Sequence, residues 1–271
     1  MTTDKTIPKL GLGTGGRIGD DGVAAISEAI AIGYRHLDTA QSYNSEDSVG
    51  KAVRGSGLPR GDFFITTKVA DTRLDKAQFL PSVRASLDTI GVDQVDLLLI
   101  HWPSHKDAVP FEDYVLALGE AQQKGYARLI GVSNFPIALL ERTRNLLGPD
   151  AIATNQVEIH PYLQAPKLIA YARSIGLTLT AYQPLAKGEI RGDAVLSKIG
   201  AAHSVSASAV ALAFLMAEGH VVIPSSSSEA NLRGNYAALG ISLNEAEMNE
   251  IRALNRGYRR INPEKSPRWD D

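Results

Sequence analysis

The chain has no cysteine among its 271 residues. Disulfides, thiolate metal sites and cysteine nucleophiles are therefore excluded, and any redox chemistry must come from a cofactor. No apolar run approaches the roughly 20 residues that a helix needs to cross a bilayer, so no membrane partner is expected. Charge of one sign is not in excess either, with 28 Lys and Arg against 30 Asp and Glu. Such a balance lacks the broad basic surface that holds nucleic acid or anionic lipid, which leaves a small molecule as the expected partner. The histidines show no H-x-H or H-E-x-x-H spacing, so no metal is expected. The polar, short N-terminus MTTDKTIPK carries no apolar signal region, and a cytoplasmic monomer is expected.

What is present is an ordinary packed core, with 44% hydrophobic residues and 21% charged. Short runs rich in β-branched residues alternate with longer stretches whose apolar positions recur at helical spacing. That alternation predicts parallel strands joined by crossover helices. Strands are expected near Leu10 and over 36–38, 63–68, 96–101, 129–132, 154–158, 178–182 and 221–223. Helices are expected over 21–32, 46–53, 76–90, 111–124, 136–146, 167–174, 206–218 and 228–239, with one extra C-terminal helix over 244–254. Asp20 or Asp21 is the expected cap of the first helix and Ser206 of the seventh. Gly33, Gly91, Gly125 and Gly176 are placed to end helices. Eight units with no long linker predict an α/β fold of the (β/α)8 TIM-barrel type, one domain over 1–271.

One motif points elsewhere. Residues 11–16, GLGTGG, satisfy G-x-G-x-x-G, and Asp38 follows at the distance a dinucleotide-binding Rossmann unit asks for. The context argues against that fold, because only a short apolar run precedes the glycines and residues 17–20 separate them from the helix. None of the nine tyrosines has a lysine four residues on, so the Tyr-x-x-x-Lys pair of a Rossmann-type reductase is also missing.

In a barrel, active-site groups come from the C-terminal ends of strands and the loops that follow. Asp38, Lys68 and His101 end the second, third and fourth expected strands, and Tyr43 follows the second. Taken singly, each has a structural explanation: a helix cap, a rim aromatic, a solvated lysine, a core histidine. Taken together, ionisable residues at successive strand ends that should be apolar point to one shared site, since buried charge demands a partner.

The segments that carry these residues make the chain resemble the aldo-keto reductases, in particular a short bacterial branch that includes 2,5-diketogluconate reductases. The segments are GYRHLDTAQSYNSE (33–46), ITTK (65–68), DLLLIHWP (96–103), IGVSNF (130–135), NQVEIHPY (155–162) and AYQPL (181–185), and the resemblance runs from about residue 9 to about residue 254. It implies reduction of aldehydes or ketones to alcohols with hydride from NADPH, or alternatively NADH. Tyr43 would be the general acid, Lys68 the cation that tunes it, Asp38 the partner of Lys68, and His101 the donor that orients the carbonyl. Ser133, Asn134 and Gln156 would hold the nicotinamide carboxamide, with Tyr182 stacked on the ring. Pro184 and Leu185, Ser225 and Ser226, Arg233 and Asn235 would contact the rest of the cofactor.

Several positions depart from the family pattern. Relatives commonly follow the last strand with Pro-Lys-Ser or Pro-Arg-Ser and add an arginine several residues on, whereas this chain has Pro224 followed by four serines, and Asn231 at the arginine position. The clamp for a 2′-phosphate is thereby weakened, with Arg233 and backbone N–H groups as substitutes. A tryptophan common two residues after the lysine is Ala70 here, and residues 104–109 form a short loop. Both imply a wide mouth, with Trp102 as an apolar wall. Residues 1–8 leave little room for an N-terminal hairpin below the barrel. An alternative function is a nicotinamide-binding sensor on the same barrel, without turnover.

Overall fold

A computed structural model of the chain describes residues 5–270. Its eight strands are β1 (Gly11–Gly13), β2 (His36–Asp38), β3 (Phe64–Val69), β4 (Val95–Ile100), β5 (Ala127–Ser133), β6 (Ile152–Glu158), β7 (Thr178–Tyr182) and β8 (Val221–Val222). They pair in sequence order, each parallel to the next. The sheet closes on itself through a parallel bridge from Leu10 to Val222 and a 3.0 Å bond from the Gly13 N–H to the Pro224 carbonyl. All eight expected strands are present, as the alternation of patterns required.

Ten α-helices lie among the described residues: α1 (Gly19–Ile32), α2 (Glu46–Gly55), α3 (Lys76–Ile90), α4 (Phe111–Gln123), α5 (Ile137–Leu147), α6 (Pro166–Ser174), α7 (Ala194–His203), α8 (Ala207–Ala217), α9 (Glu229–Tyr236) and α10 (Glu245–Arg252). One of them, α7, was not anticipated. Asp193 caps it by accepting from Val195 and Leu196 N–H groups at 2.9 and 3.0 Å. It breaks at Ser204, which adopts a left-handed φ of 58°. The chain then restarts at Ser206, which caps α8 as expected. The α7–α8 corner turns by 90°, and among the described residues no single helix is long and apolar enough to cross a membrane. Helix α8 is apolar all round because it is buried on every side. The first helix differs from expectation too: it starts at Gly19, so Asp20 and Asp21 lie in its first turn, where they complement the helix dipole, and neither caps it.

Inside the barrel, side chains alternate by strand parity. On β4, Leu97 and Leu99 join an inner cluster with Ile7, Phe64, Leu129 and Val221, while Leu98 and Ile100 face the helices. Ile7 closes this bottom layer; residues 1–4 of the N-terminal segment lie outside the described residues. The G-x-G of β1 serves this packing. A Cβ at Gly11 would meet His36 Nδ1 at 2.7 Å, and one at Gly13 would meet the Ile223 carbonyl oxygen at 3.0 Å.

Candidate active site

Strand parity determines what points into the barrel mouth. On β3, Phe64, Thr66 and Lys68 share the inward face, and on β2 His36 and Asp38 do. The parallel register sets Asp38 beside Thr66 and Lys68 beside Leu99. His101 follows Leu97 and Leu99 in the same parity, just past the end of β4. A layer of polar contacts separates these groups from the apolar bottom: His36 Nε2 lies 3.1 Å from Thr66 Oγ1, and the Thr154 and Thr180 hydroxyls lie 2.9 Å apart.

Four catalytic candidates, expected from separate segments, meet here. Lys68 is fully buried and donates to Asp38 Oδ1 and, at 2.8 Å, to the Thr39 carbonyl. Gln156 Nε2 donates to the other Asp38 oxygen at 2.8 Å, so both carboxylate oxygens have partners. Tyr43 ends a 3₁₀ turn, Gln41–Tyr43. Its hydroxyl lies 3.4 Å from His101 Nε2, and the Lys68 ammonium sits 4.9 Å from its ring centroid.

Burial shapes the protonation of all three. It pushes the Tyr43 phenol above its ordinary value, although the Lys68 charge pulls the other way. Burial also opposes the Lys68 charge, but Asp38 and Tyr43 together outweigh it and hold that lysine above its ordinary value. His101 is held well below the usual histidine range by burial and by the cations Lys68 and Lys265. At neutral pH, therefore, phenol, ammonium and neutral imidazole stand side by side.

The residues expected around a nicotinamide form one linked set across β5, β6 and β7. Ser133 donates to the Gln156 carbonyl at 2.8 Å. Asn134, in a left-handed conformation with φ of 63°, donates from Nδ2 to the His101 carbonyl at 3.0 Å and accepts from the Tyr182 hydroxyl at 2.8 Å. Tyr43, His101, Trp102, Asn134, Tyr182 and Ser225 line a single cleft of about 360 Å³. A second cavity of about 260 Å³ shares Gln183, Ile223 and Ser225 with it and adds Pro184, Leu185, Lys187 and Arg191.

Other expected positions stand apart. Ala70, assigned to the substrate pocket, lies off this cleft. Its backbone N–H donates to Gln41 at 2.9 Å, and it lines a separate pocket between the Tyr43 turn and α3. Arg233, expected to supply charge for a phosphate, is paired with Glu229 at 2.8 Å and Glu28 at 3.5 Å. Two acids thus offset its charge. Ser226 is buried and closes a local turn with Ser228 N–H at 3.1 Å, and Asn235 is buried on α9.

The Aldo/keto reductase family model matches residues 9–256. The chain belongs to the aldo/keto reductase family. It is therefore an enzyme, an oxidoreductase. It is 44% identical over 267 residues to the methylglyoxal reductase DkgB of Salmonella typhimurium, covering 98% of this chain and 100% of that protein. Among solved structures, a putative 2,5-diketo-D-gluconic acid reductase B superposes with a TM-score of 0.92 at 38% identity, over 99% of this chain and 96% of the other. An aldo-keto reductase complexed with NADPH superposes with a TM-score of 0.88 at 27% identity, over 97% and 89%.

Three parts of this aldo/keto reductase site were not anticipated. Ser42 Oγ lies 3.3 Å from His101 Nδ1. Arg17 donates to Ser225 at 3.1 Å, while its Nε is buried without a partner among the described residues. The tail after α10 crosses the mouth and puts Ile261 and Lys265 into the cleft wall. Glu158, at the end of β6, anchors that tail by accepting from the Arg260 and Ile261 N–H groups, both at 2.7 Å. Trp269 then packs edge-on against Trp102, 6.2 Å between centroids. The expected wide mouth is thus narrowed from the opposite side. Of these three, only Ser42 carries a local signal, as a hydroxyl next to Tyr43 in the chain.

Proposed function

We propose that the enzyme reduces an aldehyde or ketone to the alcohol with a nicotinamide cofactor, NADPH in preference to NADH, and that Tyr43 is the general acid. The observation that carries this reading is the approach of the Tyr43 hydroxyl to His101 Nε2 at 3.4 Å, in a cleft where Lys68 stands over the phenol ring. A protonated phenol and a neutral imidazole that face the same volume are what carbonyl reduction needs.

The residues fit the cofactor. The 360 Å³ cleft, with Asn134 and Tyr182 in its wall, suits the nicotinamide end, and the adjoining 260 Å³ cavity with Lys187 and Arg191 suits the diphosphate. The Nε of Arg17, which has no partner among the described residues and lies beside Ser225, is a further donor for an anion. As a donor to a 2′-phosphate it would stand in for the family cations missing after β8, and that is the ground for placing NADPH ahead of NADH. Ser133 and Gln156 hold the cleft wall in place through the Gln156 carbonyl and Asp38. The bound cofactor supplies a hydride.

The protein's own contribution is to place and protonate the carbonyl oxygen. Ser42 Oγ lies 3.3 Å from His101 Nδ1, and with the hydroxyl as donor the imidazole proton stands on Nε2, beside Tyr43. That N–H and the Tyr43 O–H both donate to the carbonyl oxygen and polarise it. As hydride arrives at carbon, the Tyr43 proton passes to oxygen and the O–H electron pair stays on the phenolate. Lys68 offsets that charge from beneath the ring, and Asp38 with Thr39 keeps the ammonium from swinging away. The methylglyoxal reductase relatives support small α-dicarbonyls as the first substrates to try.

The test follows loss of NADPH or NADH absorbance with methylglyoxal and a panel of aldehydes. Turnover is expected, and Tyr43→Phe should lower kcat by about 10²- to 10⁴-fold, the range of general-acid catalysis. An unchanged rate in that variant would remove the acid from the scheme, and cofactor binding with no turnover of any carbonyl would favour the redox sensor.

A further inference from the structure

The tail places one charged side chain where the reaction scheme has no use for it. Lys265 is the only Lys or Arg among the described residues that line the cleft, and it shares that lining with Tyr43 and His101. Its ammonium lies 5.6 Å from the Trp102 ring centroid and 2.8 Å from Asp71 Oδ1. Asp71 opens the short 3₁₀ turn after β3, so the pair spans the mouth from the tail to the β3 loop. Both side chains are about one-third exposed or less, at 34% and 25%. The charge reaches the reacting groups, since it helps to hold His101 deprotonated. The other ionic groups near the cleft are committed: Asp38 has Lys68 and Gln156, and Glu158 has His160 and two tail N–H groups.

We propose that Lys265 is a specificity-determining residue, an ammonium at the mouth, steadied by Asp71 and Trp102, that selects carbonyl substrates bearing a carboxylate. An ammonium has three donors. Asp71 uses one and the Trp102 face shields another side, so at least one remains for a substrate oxygen without breaking the pair. Trp102 and Ile261 remove water from around that contact and strengthen it. Asp71 sets direction: on a flexible four-carbon stem the charge would otherwise be spread over many positions. The Tyr43–His101 end polarises the carbonyl while the Lys265 end holds the anion, so the two ends of an oxo acid are read together.

This inference rests on the carbonyl-reductase reading and is tested so that the two fail differently. Initial rates are measured with glyoxylate, 4-oxobutanoate and 4-carboxybenzaldehyde, which span three separations between carbonyl and carboxylate, and with the methyl ester of each. The ratio of kcat/KM for acid over ester is the readout. The wild-type enzyme is expected to favour at least one acid. In Lys265→Met that ratio should fall by about 10- to 100-fold, the range of a hydrogen bond to a charged group, mainly through KM, and Lys265→Arg should restore part of it. Asp71→Asn keeps the ammonium and should retain the preference within about threefold. Esters turned over as well as acids by the wild type, or an acid-to-ester ratio unmoved by Lys265→Met, overturns the assignment. So does equal loss of the ratio in Asp71→Asn and Lys265→Met, which would mean that the pair acts as a strut. Absence of turnover with every compound overturns the carbonyl-reductase reading itself, and this inference with it.

Discussion

The two sides of the barrel mouth are built by different means. The side formed by β2, β3 and β4 takes Asp38, Lys68 and His101 from strand ends, where parity and register leave a side chain no choice of direction, and adds Tyr43 from the turn just after β2. Asp38 and Lys68 are inward because His36, Phe64 and Thr66 are inward two residues before them. The opposite side is built from the loops after β7 and β8 and from the tail, where each contact is made one at a time. Glu158 holds the tail at Arg260 and Ile261, about a hundred residues away in the chain. The difference suggests that the first side governs whether a carbonyl is reduced, and the second which carbonyl and which cofactor.

The sharpest way to break this division is on the strand side. Tyr43→Phe, with its expected loss of about 10²- to 10⁴-fold in kcat, should do so without altering the tail. Lys68→Met should act on stability as well. Removing the ammonium strands the buried Asp38 carboxylate, and breaking such a pair costs about 3–5 kcal/mol. The double variant Asp38→Asn, Lys68→Met should recover part of that loss, because no unpaired charge is left. Urea unfolding of the wild type, both singles and the double measures the coupling. Additive losses would show that the pair does not hold the mouth together.

How legible each side is follows from the same physics. Strand positions can be read because a period of two leaves a clear trace, so HLD, ITTK and LLLIH identify both the strands and the polar residues that break their apolar rule. All eight strands and the meeting of Asp38, Lys68 and His101 follow from that, with Tyr43 brought in by the short turn after β2. Helix α7 is a second helix between β7 and β8, which a plain strand–helix alternation does not call for, although Asp193 before AVLSKIG is a cap before an apolar-periodic run. The tail could not be read. Residues 256–270 are polar, lack any period, and acquire meaning only through distant partners such as Trp102, Asp71 and Glu158. Arg17 is similar: its link to Ser225 spans the closure of the barrel, which no local pattern encodes. The side of the loop that Ala70 lines is equally illegible, because distance along the chain from Lys68 does not fix it.

A pH profile sharpens the comparison further, because both sides act on one histidine. Burial with Lys68 and Lys265 keeps His101 well below its ordinary 6.5. Its neutral form, the one that can accept from Ser42 and donate from Nε2, therefore prevails on both sides of that value. The Tyr43 phenol, raised above 10.0, keeps its proton throughout the same range. For reduction of an uncharged aldehyde, kcat/KM should accordingly be level from about pH 6 to about pH 9, falling only at more acid pH as His101 is protonated and above about 10 as Tyr43 loses its proton. An inflection near 6.5 would mean that His101 titrates as an ordinary histidine, and that the cations on the two sides do not converge on it.

The smallest expected effect tests the loop-built side alone. Trp269 reaches the mouth by packing on Trp102, and Arg259 lies 3.9 Å over its ring. An aromatic pair of this kind contributes about 0.5–1.5 kcal/mol beyond the area it buries. The barrel core continues without the tail, so Trp269→Ala should leave the urea midpoint close to that of the wild type. Glu158 still grips Arg260 and Ile261 in that variant, and the loss is confined to the last stretch that holds Lys265 against Trp102. For a substrate that touches this wall KM should therefore rise by about 2- to 12-fold, the same energy expressed as binding, while kcat changes less. A fall in kcat with KM unmoved would instead tie Trp269 to Tyr43 and His101, and the two sides would no longer be separable.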